Sequence, residues 1–147
     1  MGGMRRAAPQ LATVALSSLA LAGAALAVPP GPPPKVAGVA VSPPPAWAES
    51  GTRAVWAAFG SYCWKTACVD MLPPAGRPDL PRLRAPAGSL VRLHLRFVPR
   101  RPVVTVGGRP VAATVRSRVV SWRARAGIAD VHVKGRYGSA SYLVRLR

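Results

Sequence analysis

Asp130, His132 and a serine at 139 or 141 are of the types needed for acyl transfer. On a β-strand, residues two apart share a face, so Asp130 and His132 would point the same way. A Ser/His/Asp set activates the hydroxyl as a nucleophile when the imidazole lies between hydroxyl and acid. The chain lacks the G-x-S-x-G turn that commonly presents such a serine. An exposed Asp-x-His pair is also ordinary on a strand. Glycoside cleavage needs two carboxylates, which would have to come from the scattered Asp70, Asp79 and Asp130, with nothing nearby to raise a pKa. No phosphate-cradling glycine loop follows a strand, and Gly107-Gly108 fits a hairpin turn better. The chain is therefore expected not to be an enzyme and to need no cofactor; a small hydrolase is the weakest reading.

The two cysteines, Cys63 and Cys68, lie in the stretch SYCWKTACVD. Their C-x-x-x-x-C spacing differs from the C-x-x-C of redox pairs. A zinc site would need both cysteines plus His94 and His132, which fall at outward strand positions. The better reading is a structural disulfide across a hairpin, since opposed strand residues bring their Cα atoms to about 4.5 Å. Lys65-Thr66 is poor chemistry for a two-residue turn, so a four-residue loop is expected between the strands. Trp64, placed in that loop, is the candidate exposed aromatic. Trp56 and Trp122 are expected in the core.

Charge is the most unusual property. The chain of 147 residues has 21 Lys and Arg against 4 Asp and Glu, a net of +17. Most of the excess lies after Pro73. Arg92, Arg96, Arg123, Arg125, Lys134, Arg145 and Arg147 fall opposite the apolar positions of their segments, and His94 joins them. Arg100, Arg101, Arg116 and Arg118 sit in neighbouring turns or strand ends. If those strands share a sheet, its outer face is a guanidinium array suited to phosphate and carboxylate. Expected partners are an anionic cell-wall polymer or membrane surface, with non-specific nucleic acid as a further candidate. Alternatively the charge is incidental, and a sheet edge or the Trp64 loop meets an unknown protein partner.

Strands must position these groups. Val91, Leu93, Leu95 and Phe97 alternate with Arg92, His94 and Arg96; Val120, Trp122 and Ala124, Val131 and Val133, and Tyr142, Val144 and Leu146 repeat the pattern. Such alternation marks half-buried strands, and Gly/Pro punctuation separates them. Seven or eight short strands predict an all-β, antiparallel β-sandwich over 53–147. Upstream, VPPGPPPK and SPPPAWAES read as a disordered Pro-rich linker over 28–52, extended as polyproline II, with one short strand conceivable at Val36–Val41. Arg5 and Arg6, an uncharged run over Leu11–Ala27 and the exit Ala25-Leu26-Ala27 have the three parts of a signal peptide, expected to be cleaved after Ala27. Leu21-Ala22-Gly23 is followed by Ala24 rather than Cys, so no lipid anchor is expected.

GSYCW at Gly60–Trp64, then Cys68-Val69-Asp70, Pro73-Pro74, the G-x-x-V-x-L of Gly88–Leu93, Trp122 and the segment Gly138–Tyr142 resemble a group of uncharacterised secreted bacterial domains, many of them lipoproteins. Ser139 stands where that group carries an acid. The resemblance covers Arg53–Arg147. It implies a small immunoglobulin-like sandwich and brings no established activity and no catalytic residues. Together these readings describe an exported, non-catalytic module of the cell envelope.

Overall fold

A computed structural model describes residues 28–34 and 41–147. The expected signal peptide and all but Val41 of the conceivable strand at 36–41 lie outside the described residues. The fold is an all-β sandwich. Its strands are β1 (Trp47–Ser50), β2 (Arg53–Trp56), β3 (Ala58–Trp64), β4 (Ala67–Val69), β5 (Arg82–Leu83), β6 (Leu90–His94), β7 (Arg100–Val106), β8 (Arg109–Val111), β9 (Ala113–Arg116), β10 (Val119–Arg123), β11 (Gly127–Gly135) and β12 (Gly138–Leu146). One sheet runs β2-β1-β6-β10-β9; the other runs β4-β3-β12-β11-β7-β8, with β5 parallel to β12.

Seven of these strands, β6 to β12, form an immunoglobulin-like framework: β6, β10 and β9 share one sheet, β12, β11, β7 and β8 the other, and the chain changes sheets at each Greek-key crossing. The alternation explains why. Val91, Leu93, Val120 and Trp122 from the first sheet meet Val104, Val131, Val133, Tyr142 and Val144 from the second, all essentially buried in one cluster. Burying each such side chain contributes roughly 1.5–3 kcal/mol. The first four strands are additions: β1 and β2 widen the first sheet, and β3 and β4 widen the second.

The domain therefore starts upstream of the expected boundary at Arg53. β1 lies inside its sheet, between β2 and β6, Pro43 is fully buried, and the Tyr142 hydroxyl donates to the Pro44 carbonyl at 2.7 Å. The pattern hid β1 because its inward residues are small, Ala48 and Ser50, while its outward residues are Trp47 and Glu49. Nor is the described part of the linker wholly extended: it bends at Gly31, whose φ is 71°, and Gly31 N donates to Pro29 O.

The disulfide Cys63–Cys68 forms, with the two residues directly opposed across β3 and β4 and their Cα atoms 4.0 Å apart. The turn is shorter than expected. Lys65 and Thr66 alone connect the strands, with Lys65 in the left-handed region at φ 54°. Lys65 N donates to Tyr137 O at 2.7 Å, so a neighbouring hairpin holds a conformation that the turn's own residues do not favour.

Candidate functional site

The outer face of the second sheet carries the groups that could do chemistry. In the register of β11 and β12, His132 opposes Ser141 and Asp130 opposes Leu143. His132 Nδ1 and Ser141 Oγ are 3.2 Å apart. Opposite Ser141, β3 shifts register at Gly60-Ser61; a Cβ on Gly60 would lie 2.8 Å from Ser141 Cβ, so only glycine fits there. Ser61 Oγ donates to Asp70 Oδ1 at 2.8 Å and accepts from Met71 N at 3.0 Å. These two bonds pin the segment after β4 across the face. That segment explains why Leu143 is buried although it lies outside the inter-sheet core: Met71, Leu72, Pro73 and Pro74 line the same hollow. A groove of about 350 Å³ remains beside it, bordered by Ser61, Cys68, His132, Ser139 and Ser141.

The expected spatial grouping of Asp130, His132 and a serine is thus present, with Ser141 as the serine. Its order differs from a hydrolase relay. Ser141 is bonded to His132, whereas no hydrogen bond joins Asp130 to His132 or to Ser141 among the described residues. A relay needs the imidazole in the middle, taking the proton from serine on one nitrogen and held by the acid on the other. Asp130 nevertheless differs from the sequence reading. Burial raises its carboxyl above the usual carboxylate range, with partial offset from the Ser141 hydroxyl and the His132 ring. Its Oδ1 is buried without a hydrogen-bond partner. The two hollows that Asp130 borders contain no second acid to complete a glycosidase pair.

His94 lies in the other sheet. It stacks on Trp47, directly opposite on β1, with ring centroids 3.8 Å apart and planes within 4°. Its Nε2 is 3.1 Å from Glu49 Oε1, within ion-pair range but outside hydrogen-bond geometry. Among the described residues, no three His, Cys, Asp or Glu side chains gather as a metal site would require.

The expected cationic face is not one face. Arg92 on β6 and Arg123 on β10 belong to the first sheet; Lys134 on β11 and Arg145 on β12 belong to the second. Those sheets turn their outer faces in opposite directions. Arg96 and Arg125 lie in the connections after β6 and β10, and Arg147 follows β12. Several are also engaged: Arg92 lies 3.6 Å from Glu49, Arg123 donates to Gly88 O at 3.2 Å, and Arg145 donates to Arg77 O at 3.3 Å. Alternation tells which side of its own strand a residue takes, not which sheet holds the strand.

A different cluster appears at one end of the sandwich. The β3–β4 turn carries Lys65, the β6–β7 connection carries Arg96 and leads into Arg100 and Arg101, β9 ends at Arg116 and its turn to β10 carries Arg118, and Lys134 near the end of β11 precedes Arg136 in the β11–β12 turn. Contacts between neighbours bring these loops together. Lys65 N bonds to Tyr137 O, Trp64 packs on Phe97 at 5.0 Å, Leu95 N donates to Arg118 O at 2.9 Å, and Arg100 opposes Lys134. All eight cations are exposed, and none makes a side-chain hydrogen bond or ion pair among the described residues. Lys65 and Arg136 instead flank the exposed Tyr137 ring, at 5.7 and 5.5 Å from its centroid. No acid lies in any of these loops. Arg84, Arg123, Arg125 and Arg147 form a smaller group at the opposite end, where Ala85 N bonds to Arg147 O and Gly88 N to Ala124 O.

Trp64 is not the exposed aromatic. It ends β3, is 3% exposed, and packs against Phe97 and Tyr137. The exposed ring at this end is Tyr137, at 52%. Its position in R-Y-G between two strands was the available signal. Trp122 is core as expected, whereas Trp56 is half-buried on the outer face of the first sheet. No helix among the described residues is long and apolar enough to cross a membrane. No family model, curated protein or solved structure matches the chain.

Proposed function

We propose that this chain is an exported, non-catalytic envelope module that rests on anionic polymer through its basic loop end. The observation that carries the reading is the gathering of eight cations, without a side-chain partner among the described residues, on four mutually braced loops and their strand ends, with no acid among them. Guanidinium groups engage phosphate and carboxylate bidentately, and a field of one sign accelerates encounter with a polyanion. The ligand class is a phosphate-rich cell-wall polymer or an anionic membrane surface; nucleic acid shares the same backbone chemistry. Export fits the N-terminal segment, with cleavage after Ala27 and no lipid anchor, and fits a disulfide that persists in oxidising compartments. Among the described residues no hydrogen bond from Asp130 orients the His132 ring, which supports the non-catalytic part of the reading.

The test is binding to teichoic acid, DNA and a neutral polymer over a salt series. Retention on both polyanions that falls steeply with salt, with none on the neutral polymer, is the expected result. Absence of binding at low salt overturns the reading. The alternative, a protein-interaction sandwich with incidental charge, is favoured by one observation of its own: a tryptophan on the first sheet already holds a peptide segment.

A further inference from the structure

An indole has one N–H to donate and nothing to accept with, so a half-buried tryptophan must find a carbonyl or water. Trp56 finds one 26 residues upstream: its Nε1 donates to the Pro30 carbonyl at 3.0 Å. Trp56 is not alone on that face. It stands directly opposite Trp47, which in turn opposes and stacks on His94. The three rings form one row across β2, β1 and β6. They lie outside the inter-sheet core, to which Ala48 and Val55 on the same strands belong or pack instead. Trp47 is only 9% exposed, though no second sheet covers it.

The segment seated there has a defined shape. Gly31 N donates to Pro29 O, closing a three-residue turn centred on Pro30. Gly31 takes φ 71°, a conformation suited to glycine. The turn aims the Pro30 carbonyl at the indole. Pro30 is half-buried, whereas Val28, Pro29 and residues 31–34 are exposed. Aromatic rows with an indole donor are a general means of holding proline-rich peptide, whose ring stacks while its carbonyl accepts.

We infer that the Trp56–Trp47–His94 row is a binding site for a Pro-Pro-Gly turn, and that the chain's own Pro29–Gly31 occupies it. The site selects the turn rather than an extended polyproline helix, because the glycine sets the carbonyl's direction. The intramolecular segment is a competitive occupant: a proline-rich partner gains the site only as the segment leaves it.

The test follows the Trp56 indole N–H resonance in the full chain. Replacing Pro29, Pro30, Pro32, Pro33 and Pro34 by serine vacates the site without touching the sandwich. The Trp56 resonance is then expected to move, and a capped peptide of residues 28–34, VPPGPPP, to move it back. With the tethered segment at about 1 mM effective concentration and an intrinsic Kd of about 0.1 mM, the peptide binds the serine variant about tenfold more tightly than wild type. The peptide is uncharged, so low and high salt give the same result, which separates this site from the basic end. VPPPPPP, lacking the glycine, is expected not to bind, and Trp56→Phe in the serine variant, read by calorimetric titration because the indole resonance is gone, is expected to lose VPPGPPP binding while keeping a ring. An unmoved Trp56 resonance in the serine variant, or a serine variant that ignores VPPGPPP, overturns the proposal. Equal binding of VPPPPPP overturns its selectivity for the turn.

Discussion

Replacing Arg96, Arg100, Arg118 and Arg136 by serine separates the basic end from the basic chain. All four are exposed and make no side-chain hydrogen bond or ion pair among the described residues, so each substitution is expected to change stability by no more than about 0.5 kcal/mol. The magnitude on binding follows from counterion release. If eight cations each neutralise one phosphate of duplex DNA, log K falls against log salt with a slope of about −7; with four left the slope is about −3.6. Between about 50 and 200 mM salt the wild type then loses roughly four decades of affinity and the variant roughly two. The control is the fourfold serine variant at Arg84, Arg123, Arg125 and Arg147, at the other end of the sandwich. It has the same net charge, so any difference between the two variants reports location. The assay is equilibrium binding to a labelled duplex at several salt concentrations, with folding checked by circular dichroism. Equal slopes for the two variants would refute the reasoning, because the charge would then act as a total rather than as an end.

The remaining predictions concern the scaffold beneath that end. Trp64→Ala is expected to cost roughly 3–5 kcal/mol in denaturant unfolding, since a buried ring leaves a cavity against Phe97 and Tyr137; a loss near zero would return Trp64 to the surface. Replacing both Cys63 and Cys68 by serine should cost about 2 kcal/mol on the chain-entropy estimate for so short a loop, yet retain the far-ultraviolet spectrum, because the bridge closes an added hairpin outside the immunoglobulin-like framework. Asp130→Asn should act through pH. The folded-state pKa of Asp130 is raised, so the wild type is favoured below the ordinary carboxylate value and loses that advantage as pH rises through the raised one. The Asn variant should therefore gain relative to wild type toward neutral pH and lose that gain in acid; urea melts at the two extremes decide, and a gain largest in acid would contradict it.

Strand alternation made most of the framework readable. Val91 and Leu93, Val120 and Trp122, and Val131 and Val133 all face the core as their spacing required. The pattern failed where outward positions are covered. Leu143 reads as a solvent-facing partner of Tyr142 and Val144, but the segment tied down by Ser61 and Asp70 lies over it. Trp47 reads as part of a linker because prolines precede it and its inward neighbours are alanines. The cysteine pairing was legible from local spacing alone, whereas its turn was not: Lys65 is held by Tyr137, far away in sequence. The arginines failed for the same reason at larger scale. Arg92, Arg123, Lys134 and Arg145 take the outer side of their strands while Arg96, Arg125 and Arg147 lie outside strands, and a common surface depended on which strands share a sheet, a crossing following β6, β8 and β10 alike.

The position of the acids explains why the basic surface is an end and not a face. Glu49 lies on the outer face of the first sheet beside Arg92 and His94. Asp130 lies on the outer face of the second, beside Ser141 and His132. Asp70 is held by Ser61, and Asp79 pairs with Arg77 at 2.9 Å. Each carboxylate is thus spent along the body of the sandwich, where it answers a neighbouring side chain. The loops at the Lys65 end receive none. Loops on a rigid sandwich are also where ligands are commonly met, since strands fix their roots and leave their side chains in water. Here the loops are further braced against one another through Lys65 with Tyr137, Trp64 with Phe97 and Leu95 with Arg118. A polymer arriving at that end meets cations whose backbones are already ordered, so little conformational entropy opposes contact. On the proposed reading, such an array responds to the spacing and density of negative charge. It offers one exposed aromatic ring, Tyr137, which is too few for base-by-base stacking along a strand. The expected selectivity is therefore for polyanion over neutral polymer, and not for one sequence of bases or sugars over another.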